Sequence, residues 1–212
     1  MAATIQCQDR SNFEGWSVAR TTDARGKAIE TAERLFRVQG YAATGLNQII
    51  EESGAPKGSF YFHFPGGKRE LAAEVLAAYR AKMSAGFRML AHKAAGNPDR
   101  FLQALVKAVA EEMRASGWEM GCAAQTLAQE LAPGDEEVTN ALTSLFDEWT
   151  EIIATVIGPS EDRRAARSRA LALVAALEGA RTLARALRSA APFDAVARQF
   201  SVAGPQQGRQ AG

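Results

Sequence analysis

The run Lys57-Gly58-Ser59-Phe60-Tyr61-Phe62-His63 gathers an ammonium, a hydroxyl, a phenol and an imidazole beside two phenylalanines, and Phe64 follows it. Such groups donate to phosphate and to base edges, and an apolar side chain among them can meet a thymine methyl. Phe60 and Phe64, four apart, are the inward candidates of a short helix from about Lys57 to Phe62. Just upstream, Leu46, Ile49 and Ile50 have the i, i+3, i+4 spacing of one helical face. Thr44 is expected to cap that helix through its hydroxyl, and Gly54 to end it in the left-handed conformation. Pro56 suits the opening of the second helix, where its missing N–H costs nothing. Two short helices joined by a tight glycine-containing turn read as a helix-turn-helix: the second helix enters the major groove, and the first lies across the backbone. A plain core hairpin would bury Phe60, Phe62 and Phe64 together, but a helix of about six residues is too short to be chosen for packing alone.

The run GSFYFHFPGGKREL, following IIEESGAPK, resembles the DNA-binding half of the tetracycline-repressor (TetR) family of bacterial regulators. The resemblance covers about Asp23 to Leu76. It implies DNA contacts by Thr44, Lys57, Gly58, Ser59, Tyr61, Phe62, His63 and Lys68. Lys57 and Lys68 are expected on phosphate or base edges, Tyr61 and His63 on phosphate, and Ser59 and Phe62 on bases or thymine methyls. Pro56 stands where many members carry a serine that caps the helix and touches phosphate. Pro65-Gly66-Gly67 is one residue longer than the common linker and resembles one subgroup. The resemblance further implies a homodimer on double-stranded operator DNA, and a small ligand that releases it. The alternative is an architectural helix-turn-helix protein without a ligand. The length of the C-terminal part argues against it, because dimerisation alone needs fewer helices.

Composition sets the limits. The chain has 212 residues, an abundance of alanine, nearly half apolar residues and a formal net charge of only +1. The class is all-α, and any DNA binding must come from a local patch rather than from overall charge. Cys7 and Cys122 are too few and too far apart for a disulfide framework, so a cytoplasmic protein is expected. No apolar run approaches a membrane span, and no signal-peptide layout opens the chain. The two histidines, His63 and His92, belong to no Cys/His cluster, so no metal or cofactor is expected. No nucleophile–base pair or phosphate loop argues for an enzyme.

The elements that must position the recognition run follow from periodicity. Residues 1–20 read as a flexible tail. From Val18 the chain reads VARTTDARGKAI, a typical beginning for the family it resembles, so residues 1–17 are expected to be an over-extension of the frame or dispensable. Residues 21–68 form the three-helix DNA-binding domain. Its first helix runs from Thr22 or Asp23 to Gln39, with Ile29, Ala32, Leu35 and Phe36 inward and Arg25, Lys27, Arg34 and Arg37 outside that stripe. Residues 69–200 are expected to form a helical domain, to which the resemblance assigns ligand binding and dimerisation, and 201–212 read as a disordered tail. The long connecting helix spans Lys68 to His92. Asp99 is expected as the N-cap or as a first-turn acid of a helix from Arg100 to Ala115, and a shorter helix runs from Cys122 to Leu131.

In the helix at 136–157, Val138, Leu142, Leu145, Trp149, Ile152 and Val156 are spaced 4, 3, 4, 3, 4, the seam of a helix nearly parallel to a partner. The last long helix is expected from Ser160 to Ser189, with Leu142, Trp149, Leu177 and Ala184 as the dimer interface. Between Glu111 and Asp162 lie twelve acids and one base, Arg114, and between Arg163 and Arg188 seven bases and one acid, Glu178. These helices are therefore expected side by side, within and between subunits. The family resemblance implies a ligand cavity in this region, expected among Phe87, Phe101, Met113, Trp118, Met120, Cys122 and Trp149, and methionine among aromatic rings suits an adaptable apolar site. Cys122 reads more readily as a small buried hydrophobe than as a sensor thiol. With few bases nearby in sequence, the ligand is expected to be apolar or aromatic, and neutral or cationic rather than a polyanion.

Overall fold

The computed structural model describes residues 17–158 and 162–201, with side chains from residue 24 onward. Residues 1–16 and 202–212, which make up most of the expected tails at 1–20 and 201–212 and of the expected over-extension at 1–17, lie outside the described residues; α1 begins at Ser17, inside the expected N-terminal tail and ahead of the expected start at Thr22 or Asp23. Among the described residues the chain is helical throughout, with no strand. Helix α1 (Ser17–Gln39) leads into α2 (Leu46–Ser53) and α3 (Lys57–His63), then α4 (Gly67–Ala94). The second part comprises α5 (Pro98–Ala115), α6 (Ala123–Glu130), a single 3-10 turn (Ala132–Gly134), α7 (Glu136–Ile157), α8 (Arg163–Leu187) and α9 (Ala191–Phe200).

The first three helices close around Phe36, Ile49, Phe60 and Phe64, all buried. The rings of Phe60 and Phe64 lie 5.1 Å apart, one turn along α3, which fixes that helix's inward face. Each ring buried this way contributes about 1.5–3 kcal/mol. Gly54 takes φ 67° and ends α2 as expected, its N–H donating to the Glu51 carbonyl at 3.2 Å. Thr44 is not the cap. Gly45 occupies that position with no side-chain bond, and Thr44 is fully buried, its hydroxyl donating back to the Gly40 carbonyl at 2.6 Å. Of the two roles expected for Asp99, it takes that of first-turn acid: Asn97 is the cap, its Oδ1 accepting from the Arg100 N–H at 3.0 Å, so α5 begins at Pro98. Asp162 starts α8 by accepting from Arg164 and Ala165, three residues later than expected from apolar spacing.

Helix α7 packs mainly against α4 and α8 of its own chain. Its buried residues run Val138, Leu142, Leu145, Trp149, then Ile153 and Ile157, while Ile152 and Val156 are only partly covered. The stripe thus drifts with the 3.6-residue period of a straight helix instead of holding a heptad seam. The charge split has its counterpart here: Arg163 and Arg167 of α8 pair with Glu151 and Asp147 of α7.

Candidate nucleic-acid interface and interior cavity

Helix α3 presents one face to the core and the other to solvent. With Phe60 and Phe64 turned inward, Tyr61 (44 % exposed) and Phe62 (76 % exposed) stand out, beside exposed Lys57 and Gly58 and a half-buried Ser59. A ring left this open takes no part in the packing of the chain's own core. His63 is half-buried, and its Nε2 is enclosed without a hydrogen-bond partner. Lys57, Gly58, Ser59, Tyr61, Phe62 and His63 all lie on the single short helix α3.

Two sequence-expected contact residues have other work. Thr44 is buried and cannot meet DNA with its side chain. Lys68 donates from Nζ to the carbonyls of Tyr41 and Thr44, both at 2.9 Å, and lies 4.1 Å from the centre of the Tyr41 ring. Partial burial pushes its pKa down. Its charge satisfies the turn between α1 and α2 and ties that turn to α4, so it positions the interface. Arg25 and Arg34, outside the apolar stripe, pair with Glu74 and Glu52.

The joint between the two parts of the chain is polar and specific. Arg37 was expected outside the stripe of α1 but is only 5 % exposed. Its Nε donates to the Gly121 carbonyl at 2.7 Å, and its own carbonyl accepts from Gly121 N–H at 2.9 Å and Arg185 Nη2 at 3.0 Å. Its guanidinium pairs with Glu33 at 3.3 Å and with Glu112 at 2.7 Å. Glu112 also accepts from Arg181 Nη2 at 3.0 Å. Burial alone would push the Glu112 carboxyl up. The charges and hydrogen bonds of Arg181 and Arg37 outweigh burial and hold it below the usual range. At the far end of α6, Glu130 accepts from the N–H groups of Tyr41 and Ala42 at 2.9 and 2.6 Å, and Arg69 pairs with Asp135.

Behind this joint lies a cavity of about 20 Å³, bordered by Tyr79, Met83, Phe87, Trp149, Glu178 and Arg181. A wider groove of about 220 Å³ shares Met83, Phe87 and Arg181 with it and opens past Gly86 and Met89. Of the expected ligand residues, Phe87 and Trp149 line the cavity, their rings 5.6 Å apart and edge-on. Phe101 and Met113 are packed core that does not reach it. Trp118 sits in a separate surface recess with Val38 and Arg185, and Met120 lies half-buried in the loop before α6. Cys122 is behind the cavity wall, with the Tyr79 hydroxyl donating to its sulfur at 3.7 Å. Burial, then the nearby Glu178 carboxylate, pushes its thiol up to about 12, which is the behaviour of an inert core residue.

The expected dimer residues are also interior: Leu142, Trp149, Leu177 and Ala184 are all buried within the single chain. On α8 the exposed leucines are instead Leu171, Leu183 and Leu187. The expectation of few bases near the cavity is corrected as well, because Arg181 and Glu178 form its polar wall. Sequence reading missed Arg37, Glu112, Glu130, Glu178 and Arg181. The signal available was Arg181 in register with the apolar Val174, Leu177 and Ala184, since a charge on a buried face must be paired.

Residues 28–75 match the family described as bacterial regulatory proteins, tetR family. Residues 98–199 match the C-terminal domain described as that of LmrA/YxaF-like transcriptional regulators. The chain is 34% identical over 174 residues to the HTH-type transcriptional regulator LmrA of Bacillus subtilis, covering 81% of this chain and 91% of that protein. It is 38% identical over 132 residues to the uncharacterized HTH-type regulator YxaF of the same organism, 62% of this chain and 69% of that one. Its fold is similar to the crystal structure of a TetR regulatory protein from Rhodobacter sphaeroides, with a TM-score of 0.75 at 22% identity over 84% of this chain and 96% of the other. Among the described residues no helix is long and apolar enough to cross a membrane.

Proposed function

The chain belongs to the tetR family of bacterial regulatory proteins and is a DNA-binding transcriptional regulator; on that premise we propose that it is a repressor that binds a pseudo-palindromic operator as a homodimer and leaves it when a small ligand fills the cavity. The observation that carries the DNA-binding part is the divided face of α3. Phe60 and Phe64 anchor it inward, so Lys57, Tyr61 and Phe62 project from a rigid base. Lys57 and Tyr61 contact phosphate, and Ser59 and Phe62 read base edges and thymine methyls.

Two further observations support the rest. Exposed Leu171, Leu183 and Leu187 on α8 alternate with small residues at Ala172, Ala175, Gly179 and Ala186, a face suited to close approach of a second α8. Such a dimer presents two α3 helices to half-sites about one helical turn apart. Glu112 is held at once by Arg181, a cavity residue, and by Arg37, on the first helix of the DNA-binding domain. A ligand that moves Arg181 therefore acts on α1 through one shared carboxylate.

The test begins with an operator selected from fragments of the host's own genome. A Lys57→Ala, Tyr61→Ala double variant is expected to bind it at least tenfold more weakly, with a shallower salt dependence. Operator affinity unchanged in that variant removes the assignment of α3. Ligand coupling is reciprocal and typically about 1–3 kcal/mol, so saturating operator should weaken ligand binding by the factor by which ligand weakens operator binding. Equal ligand affinity with and without operator means that the cavity is no switch.

A further inference from the structure

The cavity lining is mostly aromatic and aliphatic, with Glu178 and Arg181 as its charged members. Three of the lining residues carry an enclosed polar atom with no hydrogen-bond partner: Trp149 Nε1, Glu178 Oε2 and Arg181 Nη1. Trp149 and Arg181 are only 3% and 4% exposed. Leaving one such group unmade costs about 1–3 kcal/mol, more when it is charged. Three around one small space form an uncommon concentration, since interior polar groups are almost always paired. Burial also pushes the Glu178 carboxyl up, against the opposing pull of Arg181. Both signs of charge face the space, so an anion placed there meets Glu178 and a cation meets Arg181. A group that donates on one side and accepts on the other satisfies both walls.

We propose that Trp149, Glu178 and Arg181 are the recognition end of the ligand site, and that they take the hydroxyl or amide end of a neutral, ring-bodied molecule. Its end donates to Glu178 Oε2 and accepts from Arg181 Nη1 or Trp149 Nε1. Its body lies along Met83 and Phe87 toward the wider groove, where Gly86 leaves the wall of α4 open. At about 20 Å³ the cavity holds roughly one water, so entry requires Met83 and Phe87 to swing. Methionine's unbranched chain makes that movement inexpensive. This inference rests on the ligand-release reading for its consequence, but not for the binding itself.

The experiment uses the full-length protein and three probes of one shape: 2-naphthol, 2-naphthoate and naphthalene. Binding is measured by titration calorimetry, with naphthalene by displacement. Wild type is expected to prefer 2-naphthol over naphthalene by about tenfold or more, the worth of a hydrogen bond to a charged partner. It should also prefer it over 2-naphthoate. Trp149→Phe keeps the ring and removes the donor, and is expected to shrink the advantage over naphthalene. Glu178→Gln removes the like charge, and is expected to raise the affinity for 2-naphthoate while leaving naphthalene unchanged; a role in packing alone would not switch preference by charge. Circular dichroism checks that both variants fold. Equal binding of 2-naphthol and naphthalene, an unaltered order in both variants, or no probe bound by wild type overturns the proposal. Operator affinity is read in parallel. A probe bound with the expected selectivity that leaves operator affinity unchanged refutes ligand release but keeps the site. A compound that releases operator without regard to these variants refutes the site but keeps ligand release.

Discussion

Gly121→Ala probes the joint between the two parts of the chain. The demand at this position is for space. A Cβ there would sit 2.9 Å from the Arg37 carbonyl oxygen and 3.2 Å from Arg185 Nη2. The first obstacle is backbone and cannot rotate away, so the loop before α6 and α1 must separate by about half an ångström or more. That separation stretches a reciprocal pair of bonds, Gly121 N–H to the Arg37 carbonyl at 2.9 Å and Arg37 Nε to the Gly121 carbonyl at 2.7 Å. The neutral bond is worth about 1 kcal/mol and the charge-assisted one about 1.5–3, giving roughly 2–4 kcal/mol together. For a chain of this size each kcal/mol moves Tm by about 2–4 °C, so a fall of about 5–15 °C is expected. Differential scanning calorimetry at fixed protein concentration measures it. Gly26→Ala is the control, because a Cβ there meets nothing within 4 Å and α1 gains helix propensity; its Tm should hold or rise. A Gly121→Ala protein melting within about 2 °C of wild type would refute the argument that this contact fastens the joint.

Lys68→Met removes the cation from the carbonyls of Tyr41 and Thr44, so Tm and operator affinity are expected to fall while the salt slope of binding stays as in wild type; a slope reduced by about one would return Lys68 to the phosphate. Leu183→Asp, at a position 55% exposed in the single chain, should leave the fold intact by circular dichroism and yield monomer by light scattering; a variant that remains dimeric places the interface elsewhere. In a Cys7→Ser background, Cys122 should resist iodoacetamide at pH 8 until the protein is unfolded, because burial holds its thiol protonated with a pKa pushed up to about 12, and rapid alkylation of native protein would contradict this.

Helix existence was legible because apolar periodicity reports burial directly. The α7 range was read to the residue, and the division of α3 into Phe60/Phe64 and an outer face followed from spacing alone. Ends were read less well where competing caps lay close together: Asn97 and Asp99 are both good acceptors, and only the backbone path decides between them. The dimer seam was misread because a heptad and a 3.6-residue stripe coincide over three turns and part only at Ile152/Ile153. The same spacing serves a helix packed in its own chain or against another, and only burial by α4 and α8 separates the two. The bonds of Lys68 to the turn were not legible, because a lysine beside the second helix of such a pair looks alike in sequence whether its ammonium faces solvent or a pair of carbonyls 24 and 27 residues away.

The placement of charge at the joint argues for a switch over a simple clamp. A buried ion pair is a poor source of stability, because desolvation offsets most of the attraction, and apolar residues of similar volume commonly do as well or better. Leucines in place of Arg37, Glu112 and Arg181 would hold α1 to α5 and α8 without direction. What the ions add is dependence of each on the others. Glu112 bridges two guanidiniums, one on α1 and one lining the cavity, so displacing Arg181 changes the partner that Arg37 sees. Arg37 in turn bonds Gly121, and the Glu130 carboxylate at the end of α6 holds the turn between α1 and α2 by two N–H groups. That turn carries the carbonyls to which Lys68 donates from the first turn of α4, the helix that follows α3. The path from the cavity to the α1–α2 turn and the start of α4 is thus a chain of directional bonds through one carboxylate held by two guanidiniums, and the proposed ligand release would act by changing how that carboxylate is shared.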